Sequence, residues 1–166
     1  DPTPDFTWGL NIYVQYKDFD LTMFWQGVQG VDVDCRGYKS QTDFWANSAI
    51  NVPYLNKGVR VLDAWTPANP GSDIPALTTS DTNREGRVSS YYIENGSYCK
   101  LRTIQLGYKL PKSIVSKLHM DRIRLYASSQ NLITIKSSKF TGNDPENPGF
   151  GYPIPLNLTF GLNVGF

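Results

Sequence analysis

The 166 residues contain one histidine and two cysteines, and their charge nearly cancels: 16 Lys and Arg stand against 15 Asp and Glu, a net +1. Each scarcity excludes something. A single histidine leaves no Ser, His and Asp constellation to nominate and no His or Cys spacing that suggests a metal site, so neither catalysis nor a cofactor is expected. A near-zero net charge lacks the electrostatic footprint that holds a polyanion, and nucleic acid is not an expected partner. No run approaches 18 apolar residues, so no transmembrane helix is read, and the mean hydropathy is -0.37. That value does not exclude a membrane barrel, whose strands alternate lipid-facing and lumen-facing residues and average to a polar index.

What the chain does contain is aromatics, at 13%, with 14 Gly and 11 Pro, a mix that favours short strands and turns. Its start, DPTPDFTWG, has neither an initiator Met nor a basic region followed by an apolar stretch, and predicts a processed chain or the end of a longer one. Five alternating runs read as strands, over about 6–16, 19–29, 98–110, 122–133 and 155–166. In the first, Phe6, Trp8, Leu10, Ile12 and Val14 share one parity; in the second, Leu21, Met23 and Trp25 do so. In the last, Leu156, Leu158, Phe160, Leu162 and Val164 alternate with Asn157, Thr159, Gly161 and Asn163. The third strand is untidy, because Lys100 and Arg102 fall on the parity of Ile104 and Leu106, which predicts a bulge there or an extension beyond the apolar band. Residues 111–121 predict a short helical connector, with Pro111 at its start.

The connections alternate short and long, the long ones spanning about 30–96 and 134–153. Together with aromatics gathered toward strand ends, this is how outer-membrane barrels are strung. The apolar parity (Phe6, Trp8, Leu10, Ile12, Val14, Leu21, Met23, Trp25, Leu156, Leu158, Phe160, Leu162 and Val164) is then expected to face lipid. Five strands cannot close a barrel, and an open sheet in lipid leaves edge N–H and C=O groups unpaired, so the rest of the barrel must be supplied by a larger chain. The competing reading is a secreted, soluble carbohydrate-binding β-sandwich, in which the same parity packs on a second sheet.

Several ordered motifs carry a resemblance: FTWGLNIYVQYKDFDLTMFWQGVQG at 6–30, DAWTPANPGSDIP at 63–75 and SSYYIENGSYCKLRTIQLGYKLPKS at 89–113. RIRLYASSQNLITI at 122–135, FTGNDPE at 140–146 and YPIPLNLTFGLNVGF at 152–166 complete the series. The chain resembles the C-terminal end of the SusC/RagA family of TonB-dependent outer-membrane transporters of Bacteroidetes. The resemblance implies an all-β portion, the last five antiparallel strands of a 22-stranded transmembrane barrel with long extracellular loops, whose plug domain is not in this chain. It implies import of a bulky nutrient across the bacterial outer membrane, an oligosaccharide or, as the alternative, an oligopeptide, with no chemistry performed. Implied partners are a SusD-like surface lipoprotein and TonB, and Phe166 takes the place of the assembly signal. Cys99 and His119 depart from the family pattern, standing where Leu and Gly are expected.

Four loop aromatics, Trp45, Trp65, Tyr91 and Tyr92, are candidates to stack on a ligand or anchor the partner, against the alternative that they pack the loop's own core. Cys35 and Cys99 fall just after the second strand and just before the third, and a disulfide between them is weighed against two free thiols. DVDCRG at 32–37 and DTNREG at 81–86 echo the start of a calcium loop, but Arg36 and Tyr92 occupy ligand positions, and ordinary polar turns are expected.

Overall fold

The computed structural model describes residues 1–42, 58–77, 84, 87–149 and 151–166. It divides into two compact units: a sheet unit of Thr3–Val31, Ser97–Ser137 and Ile154–Phe166, and a loop unit of Asp1–Pro2, Asp32–Gly96 and Ser138–Pro153.

The sheet unit is five antiparallel strands: β1 (Phe6–Tyr16), β2 (Phe19–Gln29), β5 (Tyr98–Lys109), β6 (Arg122–Lys136) and β7 (Asn157–Gly165), paired in the order β1-β2-β5-β6-β7. Every neighbour in the sheet is also the next long strand in the chain, a meander. The tight turn between β1 and β2 seats Lys17 at a φ of 54°. At the same end lies the β5–β6 connector, α2 (Lys112–Val115) followed by a single 3₁₀ turn, Ser116–Leu118. His119 closes this connector in the left-handed region, at φ 55° and ψ 41°. Its N–H donates to Ser116 O and that of Met120 to Val115 O. That is the cap position glycine fills most easily, the physical reason a glycine is expected there.

Register explains the untidy third strand. Leu21 pairs with Leu106 and Met23 with Ile104, but the ladder then shifts, and Trp25 pairs with Leu101 and Gln26 with Lys100. The same shift appears against β6 between Leu101 and Thr103. One extra residue reverses parity, so Leu101 and Ile104 share the apolar face. The displaced cations turn to the other face, where Arg102 Nε donates to Gln26 Oε1 at 2.8 Å. Opposite the bulge β6 spends two residues for one, with Asn131 left-handed at φ 55°, and then resumes pairing to Lys136. The expected end at 133 is therefore corrected to 136. The last strand is shorter than 155–166, because Pro155 offers no N–H to the ladder; Asn157 makes the first pair, with Gln130, and Leu156 lies outside the strand.

In the loop unit, β3 (Asp32–Asp34) pairs with β4 (Ile93–Asn95), so the long connection expected over about 30–96 contains a two-stranded sheet. Helix α1 (Arg36–Thr42) follows β3 and is capped by Asp34, whose carboxylate accepts the Arg36 N–H at 2.8 Å. The DAWTPANPGSDIP segment closes on itself. Trp65 N–H donates to Ile74 O at 2.8 Å, Asn69 N–H to Thr66 O at 2.9 Å, and the Ser72 hydroxyl to Asp63 O.

Candidate functional site

The two faces of the five-stranded sheet differ in kind. On one, Ile12 opposes Met23, Met23 opposes Ile104, Leu21 opposes Leu106, Leu125 opposes Leu162 and Ala127 opposes Phe160, an apolar band that crosses all five strands without a charge. It is bare: Val14 is 50% exposed, Leu106 50%, Leu158 63% and Phe160 81%. A soluble domain does not leave so wide an apolar surface in water, and the sheet unit itself contains no second sheet among its described residues. Aromatics flank the band at its short-turn end, where the Phe19 and Tyr108 rings stand 4.6 Å apart.

The other face is polar and internally bonded. Arg124 of β6 reaches across β5 to Asp20 of β2, its Nε donating to Oδ1 at 2.9 Å and its Nη2 pairing with Oδ2. The span is possible because Gly107 lies between them: any Cβ there would overlap the Arg124 guanidinium. Gly161 serves Tyr126 in the same way, leaving a slot for its ring. Arg124 also stands over that ring, 5.5 Å from its centroid. The small residues that alternate with apolar ones are thus beds for long side chains lying flat on the polar face.

A second constellation sits in the loop unit. Glu94 of β4 is a buried carboxylate, its side chain 8% exposed, held by three contacts from two other segments. Lys39 Nζ of α1 lies 2.8 Å from Oε1, the Thr141 hydroxyl donates to Oε1 at 2.7 Å, and the Thr141 N–H donates to Oε2 at 2.7 Å. Lys39 Nζ also donates to Tyr91 O at 2.5 Å and stands 4.2 Å from the Tyr91 ring centroid. Burial favours the neutral acid, but the bonds from Lys39 and Thr141 outweigh it, and Glu94 titrates below its ordinary value. The stability this contributes is full above the unfolded carboxyl's pKa of about 4.3 and is lost as pH falls through the lower folded value. Exchange protection of the Thr141 amide is expected to hold at neutral pH and to drop on acidification below about pH 4; a protection that is flat across that range would show that the ionised carboxylate does not hold this loop.

The same hub decides the fate of Cys35. Both cysteines are free thiols in this structure. Cys35 is fully buried, and desolvation, followed by the charge and hydrogen bond of Glu94, pushes its thiol up to about 12. A thiol protonated at every physiological pH is a poor nucleophile. Alkylation without reductant is expected to label Cys99 and to reach Cys35 only after denaturation; a disulfide found by mass spectrometry would refute this.

Of the loop aromatics, Trp65 is 42% exposed and presented by its closed loop, and Tyr91 is half-buried against Lys39. Tyr92 is 1% exposed and packs edge-on against Tyr91 with 5.4 Å between centroids, so it belongs to the loop core and cannot reach a ligand. Trp45 lies outside the described residues, as does most of DTNREG. In DVDCRG the Asp34 carboxylate is taken by the helix cap and by Arg36 Nη2 at 2.8 Å. Phe166 is 88% exposed, one residue beyond β7. Neither the Glu94 hub nor the Asp20–Arg124 pair is visible in sequence patterning.

No family model matches the chain. TonB-dependent receptor P3 of Formosa agariphila is 34% identical over 182 residues, which cover 100% of this chain and 17% of the relative. TonB-dependent receptor SusC of Bacteroides thetaiotaomicron is 29% identical over 99% of this chain and 15% of its own length. Among solved structures, the RagAB peptide transporter superposes with a TM-score of 0.72 at 26% identity, covering 99% of this chain and 18% of that one. The RagAB peptide importer in its 'open-open' state gives 0.72 at 25% identity, over 99% and 17%. The chain therefore spans less than a fifth of the length of the proteins it matches.

A sheet with one bare apolar face and one bonded polar face, aligned end to end with such receptors, defines a stretch of wall from a transmembrane β-barrel. Over its whole length the chain is similar to a portion of TonB-dependent outer-membrane receptors, SusC and RagA-type transporters among them.

Proposed function

We propose that this portion is a five-strand wall segment of a 22-stranded barrel that imports a bulky nutrient, an oligosaccharide, across the outer membrane. The observation that carries the reading is the pair of unlike faces. The apolar parity of Phe6, Trp8, Leu10, Ile12, Val14, Leu21, Met23 and Trp25, with Leu158 through Val164 of β7, meets lipid. The Asp20, Arg124 and Tyr126 face lines the lumen, where a plug domain belongs. Both long connections leave the sheet from its end opposite the short turns, which makes that end extracellular. The loops there carry Trp65 and Tyr91, aromatics suited to a sugar face or to a SusD-like lipoprotein closing the mouth. Energy comes from TonB through a region beyond these residues.

The matches to SusC and to other TonB-dependent receptors support import as the activity. The likeness to RagAB, a peptide transporter by its description, favours a second reading in which the cargo is an oligopeptide. Deletion of the full receptor gene, followed by growth on oligosaccharide or oligopeptide pools as sole carbon source, separates the two. Loss of growth on oligosaccharides alone supports the first, loss on peptides alone the second, and unchanged growth on both overturns import of either.

A further inference from the structure

Charge on the five-stranded sheet is confined to one face and almost to one sign. Its strands β1, β2, β5, β6 and β7 carry six cations, Lys100, Arg102, Lys109, Arg122, Arg124 and Lys136, and a single carboxylate, Asp20, a net +5. The rest of the chain carries ten Lys and Arg against fourteen Asp and Glu, a net −4, so the near-zero total conceals a separation. Residues directly opposite in a ladder share a face, and register therefore puts all six cations on the polar side. Lys109 pairs with Arg124, Lys100 pairs with Gln26 and Thr134, and Lys136, two residues beyond Thr134, pairs with Tyr98. Arg102 donates to Gln26, and Arg122 lies over Gly165, its opposite residue on β7.

The cations form two groups along the strands. Lys100, Arg102 and Lys136 lie toward the long-loop end; Lys109, Arg122 and Arg124 lie toward the short turns, where Lys109 and Arg122 are exposed and Asp18 and Asp121 offset part of their charge. Arg124 is paired with Asp20. Between the groups the same face carries uncharged hydrogen-bonding side chains: Gln105 stands opposite Thr22 and Ser128, and Ser128 opposite Thr159. It also presents rings, with Tyr13 63% exposed and Phe24 half-buried. Cationic lumen walls select anions, and aromatic rings in the same wall give a sugar ring a face to stack on.

From this separation of charge we propose that the cargo is polyanionic: an oligosaccharide bearing carboxylate or sulfate groups, whose anions meet Arg102 and Lys136 and then Lys109 and Arg122, while its rings pass Phe24 and Tyr13. The inference rests on the import reading, which makes the polar face a lumen wall, and it narrows the substrate class of that reading. Two cationic groups with a neutral stretch between them let an anion leave one for the next instead of being held at a single site.

The test measures uptake by cells carrying the full-length receptor, with cells deleted for it as the baseline. Labelled probes of equal length are offered: oligogalacturonate, its methyl-esterified and hence uncharged counterpart, a sulfated dextran oligomer and a glutamate peptide. The acidic saccharides are expected to enter about tenfold faster than the esterified one, an advantage that shrinks as ionic strength rises. Lys109→Gln with Arg122→Gln should cut their uptake roughly tenfold, about threefold for each charge, and leave the esterified probe unaffected. Lys136→Gln, at the other end of the face, should give the threefold step by itself, and heat-modifiable migration checks that each variant is folded. Equal entry of acidic and esterified saccharides overturns the proposal, as does an unchanged preference in the variants. A loss shared by all probes overturns it too, because the cations would then hold another part of the receptor and not the cargo. Preference for the glutamate peptide overturns the saccharide assignment. Absence of receptor-dependent uptake for every probe overturns the import reading and this inference with it, whereas uptake without charge preference leaves import standing and removes the inference alone.

Discussion

Arginine in place of Met23 is expected to strip the full-length receptor from the outer membrane, whereas arginine in place of Thr22, one residue away, is expected to leave its level unchanged. Met23 sits mid-strand between Ile12 and Ile104 on the apolar face; Thr22 sits between Tyr13 and Gln105 on the polar face. A cation at the bilayer midplane costs about 2 to 4 kcal/mol on a lipid-facing position, while a lumen-facing position keeps its water. Immunoblots of outer-membrane fractions, with heat-modifiable migration as the sign of a folded barrel, give the comparison. Equal levels of the two variants would mean that the faces are wrongly assigned, and the lipid-facing parity would fall with them.

Glu94→Ala is expected to open the loop unit without opening the barrel. The substitution leaves Lys39 as a buried charge without its carboxylate and removes the acceptor of both the Thr141 hydroxyl and its N–H. Breaking one partner of a buried pair costs about 3 to 5 kcal/mol, most of it from the stranded charge. Hydrogen exchange of the full receptor should show lost protection in 138–149 and in α1, with β5 and β6 unchanged. Lys39→Met combined with Glu94→Gln should recover most of the loss, because it removes both charges while keeping an acceptor for Thr141. Protection unaltered in Glu94→Ala would show that the hub does not join these segments.

These two expectations draw on different kinds of information. The faces of the wall were legible in the sequence because strand geometry has a period of two, and that period is local: Leu158, Phe160 and Leu162 declare their side whatever they pair with. Even the bulge announced itself, as two cations on an apolar parity, though its place between Leu101 and Thr103 did not. His119 departs from a glycine that the resemblance implies, and the left-handed backbone there, seen only in the structure, gives the reason for that glycine.

The Glu94 hub had no such signal. Lys39, Glu94 and Thr141 lie 55 and 47 residues apart in the chain, in stretches without periodicity, and nothing in any one of them says that its partner exists. The same holds for Asp20 and Arg124, separated by 104 residues and joined only because Gly107 leaves room between them. By itself, then, the sequence determined which side of each strand is apolar, while the choice between a barrel wall and a sandwich rested on the resemblance and on the bare face of the folded sheet. Tertiary structure alone decided which charges neutralise one another, which thiol is silenced and which aromatic is core, since each depends on desolvation and on contacts between distant segments that exist only after the chain has folded.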